Sequence, residues 1–145
     1  MDLKKILHLH LLWIKGSPEG IQADLRGMDL RGVDLRGMNL HGVDFSGSDL
    51  RDSDLSGSDL SRSNLSGTDL RGSNLSSTNL QSSHLFSAKL QGSDLNGADL
   101  GGADLGGAIF TNELINTRNL HKSRYENNQF PWLCLNPAFI NQVLQ

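Results

Sequence analysis

Cysteine is almost missing from this 145-residue chain: Cys134 stands alone, so no intramolecular disulfide can form and no sign of an oxidising compartment exists. No activating neighbourhood surrounds that thiol, which argues against a nucleophile. Charge of one sign is scarce as well. Thirteen Lys and Arg face sixteen Asp and Glu, a formal net charge of −3, too mild for broad binding to nucleic acid or an anionic membrane. Long apolar runs are also lacking. The most apolar stretch, MDLKKILHLHLLWIKG at the N-terminus, is interrupted by His8 and His10 and is too short to cross a bilayer. It has Lys4 and Lys5 before its apolar part, but Asp2 is misplaced for a secretory signal and no small-residue cleavage site follows.

As a helix the same stretch reads well. Leu3, Ile6, Leu7, Leu11 and Ile14 make one stripe with Lys4, His8 and Lys15 opposite, and Gly16, Pro18 and Gly20 end it. Residues 1–20 are therefore expected to be an amphipathic capping helix and linker; a membrane-surface anchor is the other reading of the stripe.

What the chain has in abundance is a period of five. From Leu25 to Phe110 every fifth residue is Leu or Phe, and Ile115, Leu120, Tyr125 and Phe130 continue the series, 22 units over residues 21–130. Two residues before each stands a small or modest one: Ala23, Met28, Val33, Met38 and Val43, then Ser or Thr from Ser48 to Ser83, then mostly Ala to Ala108. Five residues turn a helix by about 500°, so no apolar face forms. A flat strand would send alternate leucines to opposite faces. A disordered polar tract has no reason to keep the period. Tandem self-similarity instead indicates turns of chain stacked on a shared core. The leucine and the small residue two before it point inward, the Asp or Asn between them points outward, and Gly, Asn, Asp and Ser form corners.

The stretches ADLRGMDLRGVDLRG, SGSDLSRSNLSGTDL and NGADLGGADLGGA resemble the A(D/N)Lxx unit of pentapeptide-repeat proteins. That resemblance implies an all-β fold, a right-handed quadrilateral β-helix with 20 residues per coil, here about five and a half coils and roughly 26 Å tall at sheet spacing. The inward Ser and Thr depart from the family's Ala, and their hydroxyls then need partners, expected to be backbone carbonyls at the corners. Glu113 and Arg118 fall on inward positions, as if the last coil loosens there. Both ends of the tube need cover against strand addition. Trp13 and Ile14 are expected over Met28 and Met38 at one end. At the other, residues 131–145 offer Trp132, Leu133, Leu135, Phe139, Ile140 and Leu144 as an apolar cap or a homodimerisation segment. The tail YENNQFPWLCLNP is similar to endings of small cyanobacterial members of the family.

Chemistry is sparse. His8 and His10 lie on different helix faces, a poor metal pair. Asp pairs recur because the repeat makes them, so none stands out as acid and base. The glycines are corner residues and form no phosphate loop. No catalytic residue, metal or cofactor is expected, and no small-molecule substrate. With 20 residues per coil, Asp29, Asp49 and Asp69 stack beside Arg31, Arg51 and Arg71 as a charged lattice. Asp34, Asp54, Asn74 and Asp94 line the next face, and Asp94, Asp99 and Asp104 mark the most anionic stretch. In QSSHLFSAKL, His84 and Lys89 replace Asp or Asn and Phe86 points outward, a candidate partner contact.

The expected function is a non-enzymatic, cytoplasmic protein-interaction module. The family resemblance implies an alternative, a DNA mimic that binds a type II topoisomerase (gyrase). Residues 21–130 carry 14 acids against 10 bases, a weak charge for a mimic, and direct nucleic-acid binding is not expected. A membrane-associated scaffold rests on the N-terminal helix alone.

Overall fold

The computed structural model describes residues 2–111, 113 and 116–124. The tail at 131–145, with its expected cap or dimerisation role, lies outside the described residues, as do Ile115, Tyr125 and Phe130 of the repeat.

The chain opens with helix α1, Leu3–Ile14, whose first turn is capped by Asp2 accepting the Lys4 N–H at 3.0 Å. Gly16 closes the helix in the left-handed region at φ +72, its N–H reaching the Trp13 carbonyl at 2.9 Å. The chain then folds back: Ile21 N–H donates to the Leu9 carbonyl at 3.0 Å, and Ala23 N–H to His10 Nδ1 at 3.2 Å. Helix α1 thus lies along the start of the repeat.

From Ala23 onward one local conformation recurs. In Leu55–Asp59, the Ser58 N–H returns to the Leu55 carbonyl at 3.1 Å and closes a four-residue turn, with Gly57 at φ +64. A methyl on Gly57 would meet nothing within 4 Å, so the left-handed backbone alone favours glycine there. Asp59 is the one residue left before the next turn begins at Leu60. It pairs in parallel with Asn39 and Asn79. This is why, among the described residues, the β sides are single-residue bridges and no extended strand forms: four of every five residues are spent on the corner.

Among the described residues every bridge but one joins residues 20 apart, so four units make a coil and four columns run along the stack. Face I carries Asp24, Asp44, Asn64, His84 and Asp104; face II Asp29, Asp49, Asp69, Lys89 and Ile109; face III Asp34, Asp54, Asn74 and Asp94; face IV Asn39, Asp59, Asn79 and Asp99. Backbone groups are satisfied by the neighbouring coils: Leu60 N–H donates to the Asn79 carbonyl at 2.8 Å and Asp59 N–H to the Met38 carbonyl at 2.9 Å. The leucine column from Leu50 to Leu80 is 0% exposed. The inward hydroxyls find the corner carbonyls: Ser53, Ser58, Ser63, Ser73, Ser83 and Ser93 each donate to the leucine carbonyl three residues earlier at 2.6–2.7 Å. Ser48, at the head of this column, is buried and has no such partner among the described residues.

Two expectations are corrected. Helix α1 presents two stripes to the tube. Leu3, Leu7 and Leu11 share a groove with Val33, Leu35 and Met38. Trp13 instead stacks on His10, ring centroids 5.4 Å apart, and reaches the corner at Gly42, where a Cβ would sit 3.5 Å from its ring. The leucines, not Trp13, therefore line the groove beside Met38, because residues 3, 7 and 11 lie on one line of the helix and 10 and 13 on the next. Second, Arg118 does not point inward. It bridges Asp99 at an offset of 19, Thr117 takes the buried position, and Asn119 absorbs the surplus residue at φ +57 before buried Leu120. A one-residue slip exchanges a buried guanidinium for a hydroxyl, which removes the cost of an unpaired buried charge. Glu113 is half-buried, its carboxylate accepting from Gly92 N–H and from the Thr111 backbone and hydroxyl.

Candidate interaction surface

The outward residues of each unit sit on a frame that cannot flex independently, so their chemistry is set by what stands beside them. Wherever the sequence reads D-L-R, the arginine folds back on the aspartate two residues earlier. On face II, Arg51 donates from Nε to Asp49 Oδ1 at 2.9 Å and from Nη2 to Oδ2 at 2.7 Å, while its Nε lies 3.9 Å from Asp69 Oδ2 in the next coil. Arg31 on Asp29 and Arg71 on Asp69 repeat the fork at 2.7 and 2.6 Å. The expected lattice of Asp29, Asp49, Asp69 and Arg31, Arg51, Arg71 is thus brought together. Two further forks, Arg26 on Asp24 at 2.6 Å and Arg36 on Asp34 at 2.7 Å, occupy faces I and III. The D-L-R tripeptide was the signal for them.

The fork guanidinium holds the Asp49 carboxyl down from 3.8 to about 2. A depressed carboxylate contributes to stability above its unfolded value, and that contribution fades as pH falls from about 4 toward 2. Arg51→Gln is expected to raise the Asp49 midpoint back toward about 3.9, followed by carboxyl carbon chemical shifts. A midpoint unmoved by the substitution would mean the fork does not persist in solution.

Asp94, Asp99 and Asp104 are not brought together, since successive units turn a corner and place them on faces III, IV and I. Asp94 is exposed and accepts from Asn96. Asp99 is 7% exposed, bonded by Gly101 N–H, Gln81 Nε2 and Asn119 Nδ2. Asp104 faces Arg124 at 4.0 Å.

His84, Phe86 and Lys89 are all exposed. His84 lies in the face I column, Lys89 in face II, and Phe86 stands at the corner between them with its ring against Gly106, whose absent Cβ would sit 3.2 Å from it. Phe86 is 54% exposed. Across face I, a shallow polar cleft of about 440 Å³ is lined by Gln22, Gly42, Asp44, Arg62, Asn64, Ser66 and His84. Arg62 was not singled out from the sequence. It stands one position later than the fork arginines, in S-R instead of L-R, at a left-handed corner with φ +56, and makes no fork. Among the described residues no cluster of three His, Cys, Asp or Glu could hold a metal, and no helix is long and apolar enough to cross a membrane.

A stack of 20-residue coils joined by parallel bridges, with a leucine column inside and polar columns outside, defines a β-helical solenoid. The pentapeptide-repeat family model matches in eight copies at residues 21–57, 53–92 and 77–112, and the chain belongs to that family. No curated protein sequence matches the chain. Among solved structures it is similar to a trypsin-treated R167E form of QnrB1, a plasmid-mediated fluoroquinolone resistance protein, with 22% identity and a TM-score of 0.52 over 79% of this chain and 61% of that one. The chain thus spans about three-fifths of the QnrB1 chain, and the likeness is one of fold. It is also similar to the pentapeptide repeat protein Rfr23 from the cyanobacterium Cyanothece, at 25% identity, TM-score 0.40, over 88% of this chain and 97% of that one. A pentapeptide repeat protein of the Arabidopsis thaliana thylakoid lumen matches at 26% identity, TM-score 0.41, over 83% of this chain and 90% of that one.

Proposed function

We propose that this protein is a non-enzymatic interaction module that binds another protein across face I and its corner, through Arg62, His84, Phe86 and Lys89. The observation that carries the reading is the exposed Phe86 ring on a rigid corner, flanked by two basic groups where other units place Asp or Asn. A large apolar side chain between the Lys89 ammonium and the His84 imidazole suits a partner segment that carries an apolar residue next to carboxylates. We take the stack to be a right-handed tube of about five and a half coils, closed by α1 at one end, and take a bacterial cytoplasm as its setting. The tail sequence suggests a cyanobacterial one. Residues 131–145 remain the proposed second cap or dimerisation segment.

Gyrase is the alternative partner, through mimicry of DNA. The carboxylates of Asp59 and Asp94 on faces IV and III, which pair with no arginine among the described residues, support it. The forks weigh against it, because five aspartates are already neutralised by arginine.

Affinity capture from bacterial lysate with wild-type protein and a His84→Ala, Phe86→Ala, Lys89→Ala variant tests the reading. A partner whose binding weakens more than about tenfold in the variant, and again when its own acidic residues are neutralised, supports it. Retention of gyrase equally by both baits favours the mimic. Specific retention of nothing by either bait overturns both in favour of a structural role.

A further inference from the structure

His10 occupies a position that an ionisable group rarely holds. It is 0% exposed, enclosed between α1 and the first coils, with the Trp13 indole stacked on its ring at 5.4 Å. Its Nδ1 accepts the Ala23 N–H at 3.2 Å, so in the docked state the ring proton must sit on Nε2. That Nε2 is buried and, among the described residues, has no hydrogen-bond partner. Adding a proton would turn Nδ1 into a donor facing the donor N–H of Ala23, and would bury a cation with no counter-charge.

We propose that His10 is a proton-sensitive clasp: neutral, it holds α1 against the first coils, and protonated, it releases the helix together with Trp13. Release would widen the groove that Leu3, Leu7 and Leu11 line together with Val33 and Met38.

Among the described residues the surroundings do not supply a compensating charge. From the repeat, His41 is the titratable group that acts on His10; its Nδ1 lies 2.9 Å from Ser61 Oγ. The nearest carboxylates in sequence on the packed segments are committed elsewhere, Asp24 to Arg26 and Asp44 to the Ser46 N–H. On α1 itself Lys4, Lys5 and His8 are exposed, and Lys15, Asp2 and Glu19 flank it, also exposed. Burial first, and His41 second, hold the His10 pKa below the ordinary 6.5, with the His41 backbone drawing partly the other way. The sign follows. A group whose docked pKa is depressed stabilises docking fully above its free value, and this is lost as pH falls below about 6.5, by up to about tenfold in the docking equilibrium per pH unit.

The test uses the full chain with Trp132→Phe, leaving Trp13 as the only indole. Acrylamide quenching of Trp13 is followed from pH 8 to 4.5, alongside the circular dichroism of the repeat. Quenching should rise below about pH 6.5 with the repeat signal unchanged, and His10→Gln, which keeps an acceptor for Ala23 but does not titrate, should stay flat. Flat quenching in the wild type down to pH 4.5, or a transition that persists in His10→Gln, overturns the proposal. If His10→Gln cannot dock, the imidazole resonances of the wild type decide. A His10 midpoint below 6.5 that coincides with the quenching curve supports the clasp; a midpoint at or above 6.5 overturns it.

Discussion

Leu60→Ala is expected to lower the stability of the protein by about 2–5 kcal/mol, in the upper part of that range. Leu60 is completely buried in the column between Leu40 and Leu80. The cost of a cavity depends on how far its walls can collapse, and here they are held. Leu60 N–H is tied to the Asn79 carbonyl at 2.8 Å, its carbonyl accepts from Ser63 Oγ at 2.6 Å, and Asp59 N–H is tied to the Met38 carbonyl. Moving the backbone inward would break bonds to the coils on both sides. A solenoid also couples each coil only to its neighbours, so a defect in the middle weakens cooperativity as well as stability. Urea denaturation should therefore show a lower midpoint and a broadened or split transition. A loss below about 1 kcal/mol with an unchanged slope would mean that the column is not close-packed.

Gly20→Ala is expected to detach α1 while leaving the repeat folded. A Cβ at Gly20 would lie 2.1 Å from the Trp13 nitrogen, 2.3 Å from its Cα and 2.5 Å from the Leu12 carbonyl carbon. All three are backbone atoms of the last helical turn, and no rotamer change can clear them. The glycine is required here by close approach of two chain segments; unlike corner glycines such as Gly27 and Gly57, it has no positive φ. The same segment carries the Ser17 N–H to Leu12 carbonyl bond at 3.0 Å and the Gly20 N–H to Ser17 carbonyl bond at 2.9 Å, so parting them unpicks the fold-back that seats Ile21 and Ala23 on the helix. Hydrogen exchange should speed up by about 100-fold or more for the α1 amides, a loss of about 3 kcal/mol, and leave the amides of the middle coils unchanged. Gly27→Ala is the comparison: it meets nothing within 4 Å and strains only a φ of +64, a cost of about 1 kcal/mol. Equal protection in Gly20→Ala and wild type would show that the linker does not pack on the helix in solution.

The repeat was legible because a strict period transmits covalent order directly into space. Once each unit makes the same turn the column is set, and with four units per coil, which the family resemblance supplied and the bridges show, the residue 20 positions on lies next to its predecessor. The leucine column, the inward serines on their carbonyls and the stacking of Asp29, Asp49 and Asp69 all follow from that identity. So does the separation of Asp94, Asp99 and Asp104, which are dense in the sequence but diverge in space because a corner stands between each pair. The D-L-R forks were legible in the same local way, since both partners lie within three residues.

What the period could not decide is where it ends or meets something else. Arg118 keeps the spacing in the sequence, yet the chain slips one residue there, because the cost of burying a guanidinium exceeds the cost of one left-handed asparagine at Asn119. The seat of Trp13, the burial of His10 and the cleft around Arg62 depend on contacts between segments 13 to 40 residues apart. The sequence by itself determined the repeating turn and its apolar core; the four-unit coil and the ladders came with the family resemblance and are fixed by the bridges between coils. Only the tertiary structure decided how α1 docks and which outward groups remain unpaired, because those outcomes depend on desolvation and close approach between segments that no period relates.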